Sequence, residues 1–251
     1  MESRARFRFL GRLKPLPAAA KSGAVEYLFY GSPAIKDSIE ALGVPHTEVD
    51  LIIVDGRSVD LSYRLQDSDR IDIFPFGCSP SIEPLQHLSP PLQADPSFVL
   101  DVHLGKLARR LRMLGFDCRY RNDYSDPQLI ELALDEGRII LTRDRGVLKH
   151  SRVRQGYLIG SSRAEEQVRE VLVRYRLHGQ IRALRRCPQC NGLLEAVEKE
   201  KVLHRLQPKT ALYYDSFQRC RDCDQLYWQG THYEKIGRWV QQLLNESATR
   251  G

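Results

Sequence analysis

The chain holds six cysteines, and four of them fall into two pairs, Cys187-Pro-Gln-Cys190 and Cys220-Arg-Asp-Cys223. Two thiolates three residues apart in a tight turn subtend the angle that tetrahedral Zn²⁺ requires, and two such turns close its coordination sphere. A closed four-cysteine set leaves no position for substrate, so the chemistry it points to is a structural zinc site. The spacer between the pairs is longer than the commonest range and predicts a hairpin. A single pair would also fit a redox couple or free thiols, and the presence of two argues against both. His204 and His232 lie close enough in sequence to substitute, although four cysteines need no help. Cys78 stands alone and reads either as a small buried or linker residue or as a reactive thiol.

A second set is acidic. Phe98-Val-Leu-Asp101 and Arg138-Ile-Ile-Leu-Thr-Arg-Asp144 each carry a short apolar run that leads to an aspartate. In open α/β sheets, ligands sit beyond the carboxyl ends of strands where the strand order reverses. If the two strands are neighbours, Asp101 and Asp144 face one crevice. Phosphodiester cleavage requires charge neutralisation and hydroxide at neutral pH, and one or two Mg²⁺ ions on converging carboxylates supply both. Two or three aspartates suffice, because Mg²⁺ prefers oxygen ligands and keeps several waters. Asp101 also fits a cap of the helix that follows it. Asp126, beside Pro127, fits an N-cap and a metal ligand equally well.

The elements that must position these residues follow from periodicity. Residues 6–10 and 25–30 read as strands joined through Pro15, Pro17 and Gly23. A helix over residues 34–42 follows, with Ile35, Ile39 and Leu42 on one face. Strands at residues 49–54 and 70–75, with a turn at Asp55-Gly56, complete a ββαββ order, that of a ubiquitin-like β-grasp, over residues 1–78. Residues 79–97 hold five prolines and form a semi-rigid linker. Beyond it strand and helix alternate over residues 98–180, which predicts a parallel, right-handed sheet. Leu104, Leu107, Leu111 and Leu114 make one apolar stripe, with Lys106, Arg109, Arg110 and Arg112 on the remaining surface and Gly115 ending the helix. Asp126 and Pro127 open a second helix. Ser162 with Glu165 forms a capping box for a third, carrying Val168, Val171, Leu172 and Tyr175. Residues 181–251 hold the cysteine pairs and a C-terminal helix.

Charge divides the chain unevenly. The net charge is +6, and all of the excess lies beyond residue 97. That is the footprint of a polyanion partner or of a basic solvated surface. The near-neutral first 78 residues and the linker predict a module that folds alone and is dispensable for chemistry. No apolar run approaches the roughly 20 residues of a membrane helix. The opening residues lack the apolar core of a signal peptide, so a cytoplasmic protein is the expectation. Arg143 and Arg145 flank Asp144, while Lys106 and Arg109 follow Asp101, and all four are candidates to hold phosphate. Tyr213, Tyr214, Phe217, Trp228 and Tyr233 fit either stacking on unpaired bases or packing around the metal.

The run Phe98-Val-Leu-Asp101-Val-His-Leu-Gly-Lys-Leu-Ala-Arg-Arg-Leu-Arg-Met-Leu-Gly-Phe-Asp117 and Ile-Leu-Thr-Arg-Asp144-Arg closely resemble the Mut-seven C-terminal RNase domain family, a branch of the PIN-like nucleases. The first cysteine knuckle, with Asn-Gly-Leu-Leu after it, resembles the zinc ribbon that closes that domain. So does the second knuckle, with Trp228-Gln-Gly-Thr-His232-Tyr233 beyond it. The N-terminal part resembles the ubiquitin-like partner often fused ahead of it, and the sulfur-carrier β-grasp proteins. The resemblance implies an α/β, PIN-like parallel sheet with helices on both faces, between a β-grasp domain and a zinc ribbon. It implies metal-dependent RNA cleavage, with the family's acids carried over to Asp101, Asp126 and Asp144 and with Mg²⁺ or Mn²⁺ on Asp101 and Asp144. His103 departs from the family pattern, which usually has methionine there. Two other readings stay open: a non-catalytic zinc-ribbon RNA-binding adaptor in which the acids are caps, and a docking or sulfur-transfer protein led by the β-grasp. Sulfur carriers need a free Gly-Gly end, whereas here Phe76-Gly77-Cys78-Ser79 runs on into more chain. A protein partner for the β-grasp is the expectation.

Overall fold

The computed structural model describes residues 1–14, 24–78, 80–81, 83–91 and 93–248. Pro15, Pro17 and Gly23 lie outside these residues, as does the side chain of His232. In chain order the first elements are β1 (Glu2–Phe9), β2 (Ala24–Tyr30), α1 (Ile35–Ala41), β3 (Val49–Val54), β4 (Arg57–Val59) and β5 (Arg70–Pro75). Then come β6 (Phe98–Leu100), α2 (Gly105–Met113), β7 (Cys118–Tyr120), α3 (Asp126–Asp135), β8 (Ile139–Thr142), α4 (Arg145–Lys149), β9 (Gly156–Leu158) and α5 (Ala164–Arg174). The last are β10 (Leu194–Val197), α6 (Lys199–Val202), α7 (Pro208–Tyr213), β11 (Phe217–Cys220), β12 (Leu226–Trp228) and α8 (Thr231–Ala248). The fold is mixed α/β: a β-grasp domain, then parallel strands alternating with helices. No helix of the described residues is long and apolar enough to cross a membrane.

The chain divides into two compact units. The first comprises Met1–Leu92 and Ser125–Leu158. Its five-stranded sheet has the order β2-β1-β5-β3-β4, with β1 parallel to β5 and antiparallel to β2. Alternation puts Phe7 and Phe9 of β1 and Ile71 and Ile73 of β5 on one face, where Ile35 and Ile39 of α1 cover them. These side chains are fully buried, and truncating one such aromatic to alanine costs about 3–5 kcal/mol. The Asp55-Gly56 turn has positive φ at both residues, 45° and 83°, and so reverses the chain tightly into β4, a strand that periodicity did not mark.

Every residue of β3 is buried, both faces included. The proline-rich segment covers part of it: Leu88 N donates to Asp50 O, Ser89 N to Asp50 Oδ1, and His87 Nδ1 meets Asp50 Oδ2 at 2.8 Å. The segment expected to be a spacer is thus bonded to the β-grasp along residues 86–89.

The same unit joins the β-grasp to α4 and the parallel pair β8–β9. His46 lies in a 3-10 turn over His46–Glu48. Its Nδ1 meets Glu40 Oε1 at 2.6 Å and its Nε2 meets Val153 O at 2.9 Å. Both ring nitrogens therefore face oxygen atoms of the surrounding structure. Glu48, only 1% exposed, accepts from Leu158 N at 2.6 Å and pairs with Arg12. Arg12 in turn lies over the Tyr157 ring at 4.3 Å, and Lys149 Nζ donates to Glu40 O. These contacts tie residues 1–78 to α4 and β9 within one compact unit. Charge neutrality at the surface of residues 1–78 hid a buried polar seam.

The second unit comprises Gln93–Tyr124 and Ile159–Gly251. Here β6 and β7 pair in parallel, and the leucine stripe of α2 is buried as its spacing predicts. Gly115, at φ 96°, stops α2 where expected. Val168, Val171, Leu172 and Tyr175 of α5 are likewise buried. The predicted capping box of α5 does not form. The helix starts at Ala164, so Arg163 occupies the cap position without a side-chain bond and Ser162 falls one residue too early.

A three-stranded antiparallel sheet, β10-β11-β12, carries the second cysteine pair. The spacer forms the hairpin its length predicts, β10 pairing antiparallel with β11, and its connection holds the short helices α6 and α7. Its length makes the detour cheap, because loop closure grows only slowly with loop length. Val202 and Leu206 then pack on Phe217 and Leu226 to give this sheet a small core.

Candidate metal centre and acidic positions

The four cysteines converge, their ligand atoms all lying within 4.8 Å of one another. Cys187 Sγ is 3.7 Å from Cys223 Sγ, and Cys190 Sγ is 3.3 Å from Cys220 Sγ. A tetrahedron with Zn–S bonds of about 2.3 Å has sulfur–sulfur edges of about 3.8 Å, so these sulfurs fit one ion. The two knuckles repeat one hydrogen-bond pattern. Cys187 N donates to Gly192 O and Asn191 N to Cys187 O, while Cys220 N donates to Gln225 O and Asp224 N to Cys220 O. In each knuckle the residue after the second cysteine has positive φ, 78° at Asn191 and 59° at Asp224, as asparagine and aspartate tolerate best among residues with a Cβ. Gly192 N donates to Cys190 Sγ at 3.4 Å, and a Cβ on Gly192 would sit 2.8 Å from Cys220 Sγ. Only glycine lets the backbone approach the sulfurs this closely.

Tyr227, a residue the spacing did not single out, brings its hydroxyl within 3.0 Å of Cys187 Sγ. Burial pushes the Cys187 thiol up. Hydrogen bonds from the Tyr227 hydroxyl and from the Cys190 and Gln189 amides outweigh it and bring the thiol down to about 7. That favours the thiolate a metal needs. The Cys190 thiol is pushed up by burial, as is the Tyr227 hydroxyl, which also donates to Cys187.

Two further residues bolt the first knuckle to α2 and β7. Arg112, expected on the surface of α2, is buried at 4% exposure. Its Nε donates to Cys118 O at 2.9 Å and its Nη1 to Gln189 O at 2.8 Å. Burial pushes its guanidinium below the usual range, offset in part by the nearby Cys118, Cys190 and Cys187. Asn191 accepts from Cys118 N at 2.9 Å and donates to Asp117 Oδ1 at 2.9 Å, and Arg186 pairs with the other oxygen of Asp117. The Asn-Gly after the first pair was the available signal for this seam. Nothing in a helical wheel marks Arg112 as the one arginine turned inward. Arg112→Lys is expected to lower stability by about 2 kcal/mol, since an ammonium on a flexible stem does not reproduce the fork that spans both carbonyls. Thermal unfolding followed with zinc release checks this, and an unchanged midpoint would show the arginine to be replaceable.

Asp101 follows β6 and is buried, 7% exposed. It caps a 3-10 turn over Val102–Leu104, its Oδ1 accepting from His103 N at 2.8 Å. Asp144 stands two residues past β8 as the N-cap of α4. Its Oδ1 accepts from Gly146 N at 2.6 Å and its own amide donates to Thr142 Oγ1. Its carboxylate is exposed. Asp126 is the first residue of α3 and exposed. Ser125, not Asp126, is the cap, its amide donating to Gln128 Oε1 at 3.0 Å. Asp126 and Asp144 belong to the first compact unit and Asp101 to the second. Lys106, Arg109, Arg143 and Arg145 are exposed. Of the ribbon aromatics, Phe217 is core, with Tyr214 packed against it, whereas Tyr213 and Trp228 are exposed.

A β-grasp, parallel strands alternating with helices, and a four-cysteine cluster docked on α2 define a mixed α/β architecture with a candidate metal centre. Residues 96–240 match the Mut7-C RNAse domain and residues 2–79 the Mut7-C ubiquitin domain, and the chain belongs to the Mut7-C RNAse family. Among solved structures, a putative molybdopterin converting factor subunit 1 from Pyrococcus furiosus is similar at 21% identity, over 29% of this chain and 97% of its own, with a TM-score of 0.25. Small archaeal modifier protein 1 of H. volcanii is similar at 15% identity, over 29% and 97%, with a TM-score of 0.25. No curated protein matches the chain.

Proposed function

We propose that this protein is a metal-dependent ribonuclease of the cytoplasm. It hydrolyses RNA phosphodiester bonds at Asp101 and Asp144, with Asp126 as the third acid. The match of residues 96–240 to an RNAse domain carries this reading. Aspartate oxygens are the hard donors that Mg²⁺ or Mn²⁺ takes, and when bound the ion neutralises phosphate and lowers the pKa of its water. The chain's own part is orientation. The His103 amide fixes one oxygen of Asp101 and the Gly146 amide one oxygen of Asp144, so neither carboxylate swings freely. Lys106, Arg109, Arg143 and Arg145 hold the phosphate backbone. The cysteine centre holds Zn²⁺ and keeps the ribbon folded for RNA binding. The β-grasp, which continues into the next domain, serves a protein partner rather than sulfur transfer.

The capping bonds of Asp101 and Asp144 also favour a second reading, a non-catalytic RNA-binding adaptor in which the acids only cap. Asparagine caps as well as aspartate, so Asp101→Asn and Asp144→Asn remove charge and keep the cap. Labelled RNA is incubated with wild type and each variant, with Mn²⁺ and with chelator. Cleavage by wild type in Mn²⁺ alone, lost in both variants with RNA affinity retained, is the expected result. Equal behaviour in every condition would leave the adaptor standing.

A further inference from the structure

The cations of α2 are not equivalent. Arg112 is buried on carbonyls, and Arg110 pairs with Glu165 at 3.1 Å while lying over the Trp239 ring at 5.3 Å. Lys106 and Arg109, three residues apart and exposed, form no ion pair among the described residues. They line a groove of about 410 Å³, whose far wall is Lys235, Ile236 and Trp239 of α8. That volume lies in the range of about 300–1,000 Å³ found for small-molecule pockets. Ile236 is buried, and the indole is half-buried with one face against the Arg110 guanidinium.

We propose that this groove is a nucleotide subsite for single-stranded RNA. The base lies against Trp239 and Ile236, and the flanking phosphates lie on Lys106, Arg109 and Lys235. The inference rests on the RNA reading above and adds a recognition element to it. An apolar floor with three cations at its rim, none of them in an ion pair among the described residues, suits a ligand that is flat and apolar on one part and anionic on another. A simple anion has no use for the indole. A duplex keeps its bases stacked away from such a slot, whereas unpaired bases stack on aromatic rings and guanidinium planes. Glu165, at the Arg110 side of the groove, repels phosphate and so leaves the Lys106–Arg109 end for it. Lys106 stands in the first turn of α2, close in sequence to the Asp101 cap, so a strand seated here is near an acid of the proposed nuclease.

The test is equilibrium binding of a fluorescein-labelled oligouridylate octamer to the full chain in chelator, where no cleavage intervenes. A labelled oligoglutamate peptide serves as the competing chemistry. The indole Nε1 is buried without an acceptor among the described residues, so Trp239→Leu removes the ring face and orphans no partner. Trp239→Leu is expected to weaken RNA binding about tenfold with its salt dependence unchanged, and Trp239→Phe to fall between. Lys106→Ala combined with Arg109→Ala is expected to reduce the salt slope by about 1.4, two single-strand phosphate contacts. Affinity within twofold of wild type for folded Trp239→Leu would overturn the subsite. So would variants that change peptide binding and not RNA binding. If Trp239→Leu fails to fold, Trp239→Phe and the double alanine variant decide. Loss of RNA affinity in a protein that never cleaves RNA would leave the subsite standing and sink the nuclease. Metal-dependent cleavage with unaltered affinity in every groove variant would do the reverse.

Discussion

Cys220→Ser is expected to empty the zinc site and unfold the ribbon, with damage reaching into α2. Wild type should carry one equivalent of tightly held zinc, because four sulfurs within 4.8 Å of one another fit a single ion. A closed four-thiolate site contributes to folding directly, on the order of 10 kcal/mol in zinc-finger peptides. Serine offers a harder, more basic oxygen at one corner, and the remaining three thiolates no longer close the sphere. The consequences do not stop at the ribbon. Gln189 O, on the first knuckle, accepts from the buried Arg112 guanidinium, and Asn191 holds the Cys118 amide. When the knuckle loosens, the buried Arg112 loses its Gln189 acceptor and the buried Cys118 amide loses Asn191, and each such loss costs about 1–3 kcal/mol. Zinc content by elemental analysis and protection of α2 amides from hydrogen exchange measure the two parts. Less than a tenth of an equivalent of zinc in purified wild type would refute the metal centre. Unchanged protection of α2 in Cys220→Ser would refute its extension.

Glu48→Ala is expected to destabilise the first compact unit by about 3 kcal/mol, as breaking one side of a buried pair does. The carboxylate is 1% exposed and satisfies both the Leu158 amide and Arg12. Arg12 reaches solvent in part, so the larger share of the loss is the orphaned amide at the end of β9. Glu48→Gln keeps an oxygen for that amide and should lose less. For a unit of this size, 3 kcal/mol lowers the unfolding midpoint by about 10 °C. RNA cleavage should fall in parallel, since Asp144 caps α4 and Lys149 at the other end of α4 bonds Glu40 O in the β-grasp. Midpoints for the three proteins, taken with their cleavage rates, are the measurement. If Glu48→Ala matched wild type in both, the β-grasp would be the dispensable module that charge and the proline run suggest.

Local patterns were enough for much of this protein. Alternation in β1 and β5 and the i, i+3, i+7 leucines of α2 each specify an element that buries its own stripe, because strand and helix periodicity depend only on neighbours in sequence. The two Cys-x-x-Cys pairs likewise name a candidate metal centre, since each turn presents its thiolates by local geometry. What the sequence left open involves partners far apart along the chain. Arg112 was indistinguishable from Arg109 until the carbonyl of Gln189 arrived beside it from a segment 77 residues on. Glu48 looked like any surface acid until the Leu158 amide met it across 110 residues. Tyr227 joined the four-cysteine cluster only when the β11–β12 pairing placed it near Cys187. In each case a buried polar group needs a partner, and where the chain finds one is a property of tertiary packing that composition and spacing do not carry.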